Sequence, residues 1–81
     1  MNGVEFIERE LESKCYGNIA VHYSVKREHL FVEINTDMFF RYHRDITPDL
    51  MADKAVLTTI VNSIKLEYID FLLDFYFKTS N

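Results

Sequence analysis

The chain has 81 residues, of which 48% are hydrophobic and 27% charged, with 9 Lys and Arg against 13 Asp and Glu. That length makes one domain, 1–81, and the composition is too apolar for a disordered chain and too evenly mixed for a low-complexity one. A net charge of −4 speaks against indiscriminate binding to nucleic acid or anionic membranes, because neutralising phosphates needs a surplus of Lys and Arg.

Cys15 is the one cysteine, which excludes an intrachain disulfide. A single core in so small a domain supplies only about 3–5 kcal/mol of net stability, so a metal, oligomerisation or good packing must make up the rest. The opening residues Met1 to Glu8 are acidic and have no basic flank before an apolar run, which predicts neither a secretory signal nor a transit peptide. Charges interrupt every apolar stretch, so no membrane span is expected, and a cytoplasmic protein with a reduced thiol follows.

The first predicted element is a helix from about residue 3 to residue 15. Asn2 and Glu5 have the spacing of a capping box, and Gly17 is expected to stop the helix in a left-handed conformation. Val4, Ile7 and Leu11 form its apolar stripe, and Glu5–Arg9 and Glu10–Lys14 have the favourable spacing for ion pairs.

The period then changes to two. Ile19, Val21, Tyr23 and Val25 alternate with Ala20, His22 and Ser24, and after a polar break Leu30, Val32 and Ile34 alternate with Phe31 and Glu33. Pairing Val25 with Leu30 sets Tyr23 opposite Val32 and Val21 opposite Ile34. A turn at Asn35-Thr36-Asp37 leads to a third strand, in which Met38, Phe40 and Tyr42 alternate with Phe39, Arg41 and His43.

Two helix starts follow, Thr47-Pro48-Asp49 and Asp53, and the sequence alone does not choose between them. From Leu57 the apolar residues fall at 57, 61, 64, 68, 71 and 75, a helical seam that continues to about Phe77. The β-branched run Thr58 to Val61, followed by Asn62-Ser63, is a place where the helix can bend or break. The expected fold is therefore α+β: one small domain with a three-stranded antiparallel meander between an N-terminal helix and a long C-terminal helix, α-β-β-β-α. Its expected core is Ile7, Leu11, Val21, Tyr23, Val32, Ile34, Phe40, Leu57, Val61, Ile64, Tyr68 and Phe71.

The C-terminal helix is more apolar than one sheet contact requires. Leu66, Ile69, Leu73 and Tyr76 make a second apolar flank, covered either by the rest of the domain or by a partner. In the second case Leu66, Ile69, Leu73, Phe75, Tyr76 and Phe77 are the expected homodimer interface, with the aromatics as anchors. Glu67, Asp70 and Asp74 form an acidic stripe on the same helix, and Glu5, Glu8, Glu10 and Glu12 add charge on the first helix. Such carboxylates are either a solvated face or a surface that steers into the basic channel of a nucleic-acid enzyme.

The open sheet face collects His22, Phe31, Phe39, Arg41 and His43, with Lys26, Arg27 and Arg44 nearby, a mixture on which single-stranded nucleic acid stacks. Glu33 in its middle and the acidic net charge oppose that use. No catalytic residues are assigned. Cys15, His22 and His29 lack the short ligand pairs of a zinc site, Gly3 and Gly17 make no phosphate loop, and His43 with Asp45 is an acid–base pair of a kind that arises by chance. No metal, cofactor or small-molecule substrate is expected.

The element order helix, three strands, helix, in an acidic chain of this length, resembles certain small phage-encoded inhibitors, some anti-CRISPR proteins among them. The resemblance rests on size, acidity and element order across most of the chain. It implies a non-catalytic protein-binding module, an inhibitor from a phage or mobile element that blocks a nucleic-acid-processing host protein. The alternative is a single-stranded nucleic-acid-binding domain that uses the sheet face.

Overall fold

The structure is a computed structural model that describes residues 2–79, apart from the side chain of residue 79. Its elements are helix α1 (Gly3–Lys14), strands β1 (Asn18–Ser24), β2 (His29–Asn35) and β3 (Phe39–Asp45), and helices α2 (Pro48–Met51) and α3 (Lys54–Thr79). The strands form an antiparallel sheet in the order β1-β2-β3. The α+β meander between an N-terminal and a long C-terminal helix is thus present, with α2 as an added turn.

Helix α1 starts where Asn2 accepts a 2.9 Å hydrogen bond from the Val4 amide, and Glu10–Lys14 closes at 3.1 Å. Its end differs from expectation. Cys15 caps the helix in an extended conformation and donates its amide to the Leu11 carbonyl, so the chain has left the helix before Gly17. Gly17 instead takes φ +130° in the connection to β1, where an added Cβ would stand 2.8 Å from the Asn35 carbonyl oxygen.

The first hairpin keeps the expected faces but not the expected partners. Tyr23 pairs with Leu30, Val21 with Val32 and Ile19 with Ile34, a register two residues away from Val25–Leu30 pairing. The loop decides this. Residues 25–28 turn with Glu28 at φ +50°, the Arg27 amide donates to Ser24 Oγ at 3.2 Å, and Val25 leaves the sheet with 64% exposure. A shift of two preserves which side each residue faces, so the apolar row still meets the helices. In the second hairpin Ile34 pairs with Phe40 and Val32 with Tyr42 across the three-residue loop 36–38.

Both candidate helix starts are used. Thr47 and Pro48 begin α2, and Asp53 Oδ1 then caps α3 by accepting from the Ala55 and Val56 amides at 2.9 and 3.4 Å. Helix α3 runs unbroken past Asn62. Thr58, Thr59 and Ser63 return their hydroxyls to the carbonyls four residues back, which satisfies the polar groups at the weak spot.

One core joins the helices to one face of the sheet. Ile7, Leu11, Leu30, Val32, Ile34, Leu57, Ile60, Val61 and Ile64 are fully buried, and Val21, Phe40, Tyr42, Ile46, Met51 and Tyr68 complete it. Of the expected core, Tyr23 and Phe71 are only partly covered; Leu30, Tyr42, Ile46, Met51 and Ile60 are additions. Ile46 joins the core just after β3, with its amide bonded to the Glu28 carbonyl at 2.8 Å, and Met51 joins it from α2.

Candidate functional site

Helix α3 is longer than the body it packs on. Its 26 residues span about 39 Å, and the molecule measures 45 × 24 × 18 Å, so the helix defines the long axis and its C-terminal turns overhang. The predicted seam shows where support ends: residues 57, 61, 64 and 68 are buried, Phe71 is half-buried, and Phe75 is 41% exposed.

On the other side of the same turns, Leu66, Ile69, Leu73, Tyr76 and Phe77 are all exposed. The rest of the domain therefore does not cover the second apolar flank. Leu66, Ile69, Leu73 and Tyr76 recur at steps of three, four and three, one continuous strip on a helix. Glu67, Asp70 and Asp74, all exposed, each follow one of these residues, so the acidic stripe borders the apolar one along its length. The surface is an apolar strip with a carboxylate edge.

The open sheet face brings together most of the residues expected there, in an order set by the observed register. His22, Phe31 and His43 stand directly opposite one another across the three strands. The rings of His22 and Phe31 are stacked at 6.1 Å between centroids, and those of Phe31 and His43 lie at 4.7 Å. Arg41 opposes Glu33, and its guanidinium lies 6.0 Å from the Phe39 ring centre, so Phe39 and Arg41 form a second group away from the row. Arg44 turns to the Tyr42 hydroxyl at 3.4 Å.

His43 and Asp45, dismissed above as a chance pairing, are not partners in the structure. Residues two apart along a strand are separated by about 7 Å, whereas cross-strand partners approach to about 5 Å, and Asp45 stands opposite His29. Asp45 Oδ1 lies 3.0 Å from His29 Nδ1, and His29 Nε2 lies 3.3 Å from His43 Nδ1. Asp45, His29 and His43 thus form one chain of hydrogen-bonding groups across β2 and β3. His29 therefore belongs to this face as well, by the parity it shares with Phe31 and Glu33 along β2. The two imidazole nitrogens face each other along a hydrogen bond, which leaves no room for a cation between them. Among the described residues no group of three His, Cys, Asp or Glu side chains could hold a metal ion.

Cys15 is half-buried at the end of α1, and burial pushes its thiol above the ordinary range while Lys65 and Lys14 pull the other way. That makes it a poor nucleophile at neutral pH. Among the described residues no helix is long and apolar enough to cross a membrane. No protein-family model matches the chain, and no curated protein or solved structure matches it. The fold defines an α+β domain with two exposed surfaces, one on the overhanging helix and one on the sheet.

Proposed function

We propose that this chain is a non-catalytic protein-binding module of the cytoplasm, an acidic inhibitor of a nucleic-acid-processing protein of the kind carried by phages and mobile elements. One observation carries the reading: residues 66–76 of α3 expose an apolar strip edged by Glu67, Asp70 and Asp74. Apolar contact at the centre of such a surface supplies affinity, and a carboxylate edge selects a partner with basic groups around its own apolar patch.

Self-association uses the same strip. In a parallel pair of α3 helices packed on Leu66, Ile69, Leu73 and Tyr76, Lys65 of one copy faces Asp70 of the other. An antiparallel pair sets the acidic edges against each other. The test is the association rate with a captured host protein: replacing Glu67, Asp70 and Asp74 by Lys slows association without unfolding the domain. An unchanged rate removes the acidic surface from the reading.

The His22–Phe31–His43 row supports a second reading, single-stranded nucleic acid on the sheet face, because successive rings across the strands offer stacking positions. Binding of a labelled oligonucleotide that weakens steeply with salt supports it; absent or salt-independent binding removes it.

A further inference from the structure

All three histidines of the chain, His22, His29 and His43, stand on the open face of the sheet around Phe31. Histidine is the side chain whose ordinary range places a change of charge between about pH 5 and 8. The side-chain charge that the protein gains in mild acid therefore falls on one surface. We propose that this face is a proton-gated site for single-stranded nucleic acid, closed at pH 8 and open at pH 6. The proposal rests on the sheet-face reading and names what regulates that site.

Few charged groups face the imidazoles. By strand parity the charged members of this face are Glu33, Arg41 and Asp45. Glu33 and Arg41 are cross-strand partners of opposite charge, which leaves Asp45, 3.0 Å from His29, as the excess. The helices pack on the other face; Lys26, Arg27 and Glu28 border this one in the loop before His29, and Asp37 borders it in the turn at the far end. With neutral imidazoles the three charged members sum to −1, and three protons take the face to +2 while the whole chain goes only from −4 to −1. The surface changes sign although the protein stays acidic. A phosphate chain is repelled in the first state and attracted in the second.

The geometry couples the protons to the rings. His29 Nε2 lies 3.3 Å from His43 Nδ1, a hydrogen bond that needs one unprotonated nitrogen. When both rings are protonated that acceptor is gone. His29 keeps the Asp45 carboxylate, and His43, which is exposed, is left with two N–H donors for phosphate. His22 and His43 stand on either side of Phe31, with ring centroids at 6.1 and 4.7 Å. A base on this row meets one apolar ring between two that become cations, and a cationic ring adds electrostatic attraction to stacking.

The test is the anisotropy of a dye-labelled decathymidylate, whose bases take up no proton in this range, titrated with the full chain at pH 8 and pH 6. Binding is expected to be at least about fivefold tighter at pH 6, with a log–log salt slope steeper by about 1 to 2, since each added cation contributes about 0.7. The double variant H22Q/H43Q should lose most of that gain at unchanged circular dichroism, and Phe31→Ala should weaken binding at pH 6. Equal affinity at the two pH values overturns the gating and leaves the sheet-face reading standing. Absence of binding at both overturns the two together. A gain kept in full by H22Q/H43Q places the titrating groups elsewhere and overturns the proposal. Inorganic polyphosphate binding as tightly as the oligonucleotide at pH 6 would show that the bases are not used, and overturns it as well.

Discussion

The Tyr68 hydroxyl donates a 2.8 Å hydrogen bond to the Tyr16 carbonyl, 52 residues away, and so ties α3 to the connection between α1 and β1. Tyr23 makes a similar bond of 2.9 Å to the Ile46 carbonyl at the opposite end of the sheet. Between them these two phenols hold the connections that flank the core. Tyr68→Phe leaves the Tyr16 carbonyl without this donor and should cost about 1–2 kcal/mol in urea unfolding. A loss within measurement error would mean that water replaces the hydroxyl freely.

Alkaline pH should destabilise the domain through the same groups. Desolvation is the main cause that raises the Tyr68 hydroxyl, with the charges of Cys15 and Tyr76 adding to it. Desolvation also raises Tyr23, helped by Glu28 and Asp49, and raises the Cys15 thiol. Below their ordinary values, about 8.5 for the thiol and 10 for the phenols, both folded and unfolded chains keep these protons. Above them the unfolded chain ionises first and binds fewer protons, so stability falls as pH rises. Urea midpoints measured from pH 7 to 11 should decline from about pH 9, and Tyr23→Phe and Tyr68→Phe should flatten the upper part of that decline.

Gly17→Ala should cost more than about 1 kcal/mol, because φ +130° is costly for any residue with a Cβ and the new atom meets the Asn35 carbonyl at 2.8 Å. A thermal midpoint equal to that of the unchanged chain would show that the connection can shift at little cost.

Two leucine-sized positions on α3 should separate core from interface. Ile64 is fully buried, so Ile64→Ala should cost about 2–5 kcal/mol, most of what a domain of this size has. Leu73 is 49% exposed, so Leu73→Asp should remain folded and, if copies pair through the strip, scatter light as a monomer. Unfolding of Leu73→Asp would place that residue in the monomer's own core.

On the sheet, Phe31 is the centre of the ring row, and Phe31→Ala should remove about 1–3 kcal/mol from binding to a short single-stranded oligonucleotide. Anisotropy that does not respond to the substitution would detach the row from nucleic acid.

Much of the architecture was legible in one dimension. The change from period 3.6 to period 2 and back places α1, the three strands and α3, because burying one face of each element imposes that repeat on its residues. The same patterning shows that residues 66, 69, 73 and 76 exceed what one sheet contact needs, and in the structure they are exposed. Asn2, Thr47-Pro48 and Asp53 marked three helix starts because the unsatisfied amides at a helix end require particular side chains.

What the patterning could not carry was decided by contacts between distant residues. A two-residue shift in register keeps every side chain on its face, so hydrophobic alternation is blind to it. The loop 25–28, with Glu28 left-handed and Ser24 bonded to Arg27, chose the partners. That choice set His22 against Phe31 rather than Glu33 and completed the ring row. His29 joined Asp45 and His43 only because β2 and β3 are in register, and the cavity beside Tyr68 exists only because α3 passes the α1–β1 connection and the β2–β3 turn there. Periodicity determines which way a residue faces; which residues it meets depends on loop geometry and on packing between segments far apart in the chain.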